Sequence, residues 1–299
     1  MIRVMVPIGC RSDEGLSAPI IRRMEQHPEF VVYTCRLEPR NYSLSYQVVS
    51  EWIGSLAPLP DLALIVGDRA EMLAAATACF HANIPIVHVY AGTTNSLATH
   101  DDIARHMISL MSDVQICESS HAAFTVANLL TSVRKQPDCH VAGITHLDDL
   151  EVDDSLVSAQ KYDLVLYNPV TLGEDVDGRL QADISSIIYA LDQGGRRAVL
   201  IGPNPDPMIG MAYESLLDRV DSYFANLPRP QFLGLLANCT RFVTNSSAAY
   251  YEAPHFLKPN QILMVGPRNL TRSQVNAVPG GSDRVIDEVV TYARSRRRV

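Results

Sequence analysis

No stretch of this chain approaches eighteen uninterrupted apolar residues, which argues against a membrane-spanning helix. The chain opens on a strand over residues 1–7 rather than on a basic region, an apolar run and a cleavage site, so a soluble, cytoplasmic protein is expected. The six cysteines, at 10, 35, 79, 117, 139 and 239, contain no C-x-x-C pair and are expected as buried free thiols in a reducing compartment. No spacing of His, Cys and carboxylates suggests a metal cage. Basic residues are outnumbered, 25 against 33 acidic, for a net charge of −8. That balance argues against broad nucleic-acid binding and leaves room for a local basic pocket holding phosphates. The cluster from Arg294 to Arg298 reads as a solvated helix end, where cations suit the helix dipole. The three-glycine dinucleotide fingerprint, the G-x-S-x-G elbow and solenoid-type repeats are all missing.

What is present is alternation. The stretch 62–106 holds two buried apolar strands, Leu62-Ala63-Leu64-Ile65-Val66 and Ile84-Pro85-Ile86-Val87-His88-Val89-Tyr90, with a helix over 69–82 between them. Such a βαβ unit belongs to a parallel sheet, which binds ligands beyond the carboxyl ends of its strands. Before it come strands over 2–6 and 30–36 and helices over 17–26 and 42–56; after it come a strand over 114–117, a helix over 119–130 and a strand over 140–142. The acid-rich segment 146–161 reads as a linker. The alternation then restarts, with strands over 163–167, 198–201, 241–243 and 261–265 and helices over 180–191, 212–225, 230–238, 246–256 and 283–298. Two α/β, Rossmann-like, doubly wound domains facing a cleft are therefore expected, over 1–150 and 151–299, with the last helix free to pack on either.

Several polar residues fall at the strand ends. Asp68 follows a buried strand, and either caps the next helix or looks into the crevice. Asp101 and Arg105, like Asp102 and His106, stand four apart and meet on one helix face, as surface ion pairs or as an arginine-held carboxylate poised as a base. Arg11 lies in the glycine-flanked polar loop 9–15 after the first strand, a turn that can offer N–H groups to an anion. Thr244-Asn245-Ser246-Ser247 precedes a helix and suits either a phosphate or a plain N-cap. Glu252 faces solvent or a ligand's hydroxyls. Asn168 and Asn204 are in polar turns at strand ends, and Arg268 and Arg272 neutralise a diphosphate or are solvated loop arginines. His81 and His88 read as ordinary core or edge histidines.

In order, Gly67-Asp68-Arg69-Ala70-Glu71-Met72, Asn83-Ile84-Pro85, the run from Asp101 to His106, Thr244-Asn245-Ser246-Ser247 and Glu252-Ala253-Pro254 resemble the UDP-N-acetylglucosamine 2-epimerases, especially the hydrolysing branch of sialic-acid synthesis. The resemblance covers nearly the whole chain. It implies two Rossmann-like domains of the GT-B type, UDP held mainly by the second, and a reaction with neither metal nor nicotinamide: carboxylates remove the C2 proton and assist departure of UDP, and water adds to the glycal that forms. It further implies Asp68 and Asp101 as acid and base, Arg105 beside the second, and Arg11, Ser246, Ser247 and Glu252 on phosphates and ribose. Asn168, Asn204, Asn245, Arg268 and Arg272 complete the expected UDP-sugar contacts. The only expected partner is the small-molecule UDP-sugar, with no nucleic acid or membrane, and family members are often dimers.

Three positions depart from the pattern. Hydrolysing members carry a catalytic glutamate where Thr93 stands, in a His-x-His-Gly-Gly-Glu run that here reads His88-Val89-Tyr90-Ala91-Gly92-Thr93. They commonly have histidine at Asn168, and Gly-Asp-Arg where Gly266-Pro267-Arg268 stands. Threonine does not exchange a proton as a carboxylate does. A glycosyltransferase on the same fold, or a nucleotide-sugar-binding protein that has lost the chemistry, are the alternatives.

Overall fold

The protein was described from a computed structural model covering residues 1–9, 11–38, 41–94, 100–169, 175–203, 211–269 and 280–296, with the side chains of 11–13, 100, 211 and 212 left out. The chain divides into two compact units. The first contains Met1–Thr94, Ala98–Asp149 and Asn276–Val299, and the second contains Asn95–Leu97 and Leu150–Val275.

In the first unit the chain runs β1 (Ile2–Ile8), α1 (Arg11–Gln26), β2 (Phe30–Arg36), α2 (Tyr42–Ser55), β3 (Leu62–Val66), α3 (Ala70–His81), β4 (Ile86–Val89), α4 (His100–Met111), β5 (Val114–Cys117), α5 (Ser120–Ser132) and β6 (Cys139–Val141). Among the described residues all its strands are parallel, in the order β2-β1-β3-β4-β5-β6. The strands are apolar on both faces because helices cover both. Ile2, Val4, Val6, Leu62, Leu64, Val66, Val87 and Val89 point to one layer, while Met5, Ala63, Ile65 and Ile86 point to the other. The first layer is completed by Ile20 and Met24 of α1 and by Val285, Ile286, Val289 and Ala293 of the last helix, Gly281–Arg296.

The second unit runs β7 (Tyr162–Leu166), α6 (Val176–Gly194), β8 (Arg197–Ile201), α7 (Met211–Leu217), β9 (Ser222–Phe224), α8 (Arg229–Asn238), β10 (Arg241–Thr244) and β11 (Ile262–Met264), and the last helix of the chain is α9. Among the described residues its strands are parallel and ordered β11-β10-β7-β8-β9. The strand order reverses at β1/β3 in the first unit and at β7/β10 in the second, and ligands of such sheets bind beyond the strand ends at these reversals. Asp68 follows β3; Asn168 follows β7 and Asn245 follows β10.

The α/β class with two Rossmann-like sheets is as expected, and several elements differ. The helix expected over 246–256 is two 3-10 turns, Ser247–Ala249 and Ala253–His255, because Pro254 has no N–H and its ring excludes a continuous helix. The helix expected over 212–225 ends at Leu217, and Ser222–Phe224 pairs with β8 instead, as suits Tyr223 and Phe224. Helix α1 begins at Arg11, so most of the polar loop expected over 9–15 is helical, and the Arg11 side chain lies outside the described residues. Part of the acid-rich linker is structural: Asp148 is buried and accepts the Gly280 and Ser282 N–H groups at 2.5 and 2.8 Å, capping α9. Exposed Arg294 pairs with half-buried Glu29, and Arg296 donates to the Tyr292 hydroxyl. Cys79, Cys117 and Cys239 are buried free thiols, whereas Cys35 and Cys139 are half-buried, and Cys10 lies outside the described residues. No described helix is long and apolar enough to cross a membrane.

Gly92, just past β4, has φ +75°, and a Cβ there would run into the Ala122 carbonyl of α5. Gly92→Ala therefore combines left-handed strain with a backbone collision and is expected to cost about 3 kcal/mol or more, read as a lower urea midpoint at unchanged slope.

Candidate active site

The first unit gathers its charges around the β3 and β4 ends. Gly67, at φ +91°, turns the chain out of β3. Its carbonyl accepts a hydrogen bond from His88 Nε2 at 2.9 Å, and the other ring nitrogen, Nδ1, is 2.9 Å from Ser109 Oγ. A carbonyl only accepts, so Nε2 carries the proton and Nδ1 accepts from the serine. Burial holds the His88 imidazole down at about 3, against the raising effect of the Gly67 hydrogen bond, so it is neutral at ordinary pH. This histidine, expected as ordinary core, fixes the turn that carries Asp68.

Asp68 does not cap α3. Arg69 holds the N-cap position with no side-chain capping bond, its guanidinium going to Glu71 at 3.1 Å, and the Asp68 carboxylate receives Nη2 of Arg105 from α4. Nη1 of the same guanidinium donates to the Tyr90 carbonyl at 2.6 Å, so one fork joins the β3 and β4 ends. The expected partner of Arg105 was Asp101, one helical turn away; the arginine is instead drawn to the strand ends, where Tyr90, at φ +66°, presents its carbonyl. Burial raises the Asp68 carboxyl above its ordinary 3.8, Arg105 and Arg69 pull it back, and the Asp101 and Asp102 carboxylates add to the rise. The net direction is upward, so the arginine-held carboxylate is more basic than pairing alone makes it. Asp102 meets His106 only through its field, which opposes the lowering of the imidazole by burial and by Arg105.

Thr93 is 5% exposed, and its Oγ1 has no hydrogen-bond partner among the described residues. The Tyr90 hydroxyl faces Thr145 Oγ1 at 2.9 Å and His146 Nδ1 at 3.0 Å and accepts the Thr145 N–H at 3.0 Å. Among the described residues no group of three or more His, Cys, Asp and Glu is placed to hold a metal ion.

In the second unit an amide clip closes the β7/β10 reversal. Asn245, fully buried, accepts the Asn168 N–H at 2.8 Å and donates to the Asn168 carbonyl at 2.7 Å. Its side chain therefore serves the backbone, and what this edge presents outward is the chain around it. Asn269 Nδ2 donates to the Asn245 carbonyl at 2.6 Å, and Arg268 Nη1 donates to the Asn168 and Pro169 carbonyls at 3.1 and 3.0 Å, which anchors a cation at the β7 end. Ser246 and Ser247 are half-buried; Ser246 Oγ accepts from Ala248 N–H at 3.2 Å, as an N-cap. Glu252 is 3.4 Å from Arg229. Asn204 and Arg272 lie outside the described residues. The sequence reading missed His88 and Tyr90 as members of the β3/β4 edge of the first unit; for His88 the signal was a histidine inside an otherwise apolar buried strand.

Two measurements check this electrostatic account. Carboxyl NMR is expected to show Asp68 titrating above 3.8, and Arg105→Gln is expected to move it further up, since the guanidinium favours the carboxylate. Because folded His88 binds its proton only near 3, the unfolded chain takes up that proton first as pH falls below about 6.5, and stability drops by up to about 1.4 kcal/mol per pH unit down to about 3. His88→Gln is expected to flatten that slope in urea titrations across this window.

The UDP-N-acetylglucosamine 2-epimerase family profile matches residues 48–298. A UDP-N,N'-diacetylbacillosamine 2-epimerase (hydrolyzing) of Legionella pneumophila is 30% identical over 78% of this chain and 61% of its own length. A UDP-N-acetylglucosamine 2-epimerase of Neisseria meningitidis serogroup B is 25% identical over 91% of this chain and 81% of its own. The chain thus spans about three-fifths of the Legionella relative. Among solved structures, an S. aureus MnaA–UDP co-structure superposes with a TM-score of 0.78 at 18% identity, covering 98% of this chain and 97% of that one.

Proposed function

Because this chain belongs to the UDP-N-acetylglucosamine 2-epimerase family, we propose that it is a hydrolysing UDP-sugar 2-epimerase acting on a UDP-linked 2-acetamido sugar. The observation that carries the reading is the Asp68 carboxylate, gripped by Arg105 at the strand reversal of the first unit and made more basic by burial. A C2 proton is only weakly acidic, so a positioned base of raised affinity for protons is what its removal needs. Asp68 takes that proton, the C2–H electron pair becomes the C1=C2 bond, and the C1–O bond breaks with its electrons leaving on UDP. Water then adds its hydroxyl to C1 while C2 receives a proton from the opposite face, for which Asp101 is the acid. At the β7/β10 edge of the second unit, the Arg268 guanidinium and the backbone at Ser246-Ser247 suit the anionic diphosphate, with Glu252 on the ribose hydroxyls. Arg11, Asn204 and Arg272 remain in the expected contact set by position. The reaction as written uses no metal or nicotinamide, and free thiols fit a cytoplasmic protein. No finding favours transfer of the sugar to an acceptor over addition of water.

The test is the purified protein in deuterated water with UDP-N-acetylglucosamine and with UDP-N,N'-diacetylbacillosamine. UDP release together with a C2-inverted sugar carrying deuterium at C2 is expected, and Asp68→Asn is expected to lower kcat about 10²- to 10⁴-fold while UDP still binds by calorimetry. Absence of UDP release from both substrates overturns the reading.

A further inference from the structure

The proposed reaction moves protons three times: off C2, off the water that adds at C1, and onto C2 from the opposite face. Asp68 and Asp101 account for the first and third, and Thr93, at the β4 end between them in the chain, is too weak an acid to exchange protons. A third carboxylate lies on the same edge. Val89 of β4 pairs with Ile116 of β5, and the pairing continues through the Ala91 N–H to the Ile116 carbonyl at 3.2 Å, so Glu118 leaves β5 beside Ala91-Gly92-Thr93. It is 6% exposed, rare for a glutamate. Its charge acts on the Tyr90 hydroxyl, the group that faces Thr145 Oγ1 and His146 Nδ1. It does not cap α5, because Ser119 holds that position and accepts the Ala122 N–H at 3.2 Å. The strands carrying Asp68 and Glu118 are separated by β4 alone, so the strand ends stand about 10 Å apart.

We propose that Glu118 is a catalytic base of the hydration step, taking a proton from the water that adds at C1. As the water oxygen bonds to C1, its O–H bond breaks with the proton passing to Glu118, and the C1=C2 pair takes a proton from Asp101 at C2. The buried Thr93 hydroxyl orients that water. The assignment rests on the epimerase reading, and it separates from it by product: without Glu118 the elimination still runs and hydration does not.

The experiment follows both products of UDP-N-acetylglucosamine turnover by NMR in the wild type, Glu118→Gln and Glu118→Asp, with melting temperature and UDP binding measured in parallel. Glu118→Gln is expected to release UDP with the unsaturated C1=C2 sugar in place of the hydrated one, with formation of hydrated sugar down about 100-fold or more, and Glu118→Asp to recover part of it. Three results overturn the assignment. If Glu118→Gln yields hydrated sugar at the wild-type rate, the epimerase reading stands and Glu118 is not the base. If UDP release and hydration fall together in Glu118→Gln and Glu118→Asp, the glutamate is structural. If the wild type releases no UDP, both proposals fall.

Discussion

One guanidinium holds the strand ends of the first unit together. Arg105 reaches from α4 to the Asp68 carboxylate beyond β3 and to the Tyr90 carbonyl beyond β4, and a charge-assisted fork of this kind is stronger and more directional than neutral hydrogen bonds. Everything around it sets its two targets in place. His88, neutral and buried, ties the Gly67 carbonyl to Ser109 of the same helix α4, so the turn carrying Asp68 and the helix carrying Arg105 are joined by two separate bridges. Gly67, Tyr90 and Gly92 all sit at positive φ, and that backbone is held by the contacts around it: the Arg105 bond at Tyr90 and the α5 carbonyl against Gly92.

The second unit joins its strand ends chiefly through a neutral amide. Where β7 and β10 part, the amide of Asn245 satisfies the N–H and the C=O of Asn168 at once, and Asn269 holds the Asn245 carbonyl in turn. Buried strand ends leave backbone groups unpaired, and an asparagine with one acceptor and one amino group is the side chain that closes both. The result is a rigid edge on which the Arg268 cation and the Ser246-Ser247 backbone are displayed. Rigid supports for polar groups are what binding of a diphosphate requires.

Much of this was legible in the amino-acid order. Both sheets follow from short apolar runs separated by helical segments, and the strand-end position of Asp68 follows from the run ending at Val66. The partner of Asp68 was not legible, because spacing of four within a helix points Arg105 at Asp101, whereas the Tyr90 carbonyl that draws it the other way depends on a left-handed backbone no pattern announces. His88 was passed over since a histidine in an apolar strand looks the same whether its nitrogens hold a functional turn or fill space. The helix expected over 246–256 failed at Pro254, a signal that was present and outweighed by the apolar residues around it. Glu118 was hidden by chain distance: it neighbours Thr93 only through the β4/β5 register.

The central claim is that a half-buried, arginine-held Asp68 removes the proton at C2 before UDP leaves. The most direct measurement compares the rate of UDP release from UDP-N-acetylglucosamine carrying deuterium at C2 with the unlabelled substrate under single-turnover conditions. A primary isotope effect on UDP release, lost together with the release itself in Asp68→Asn, is the predicted result. Equal rates for the two substrates, with UDP released and no solvent hydrogen entering C2, would mean that water displaces UDP at C1 without touching C2, and would contradict the account.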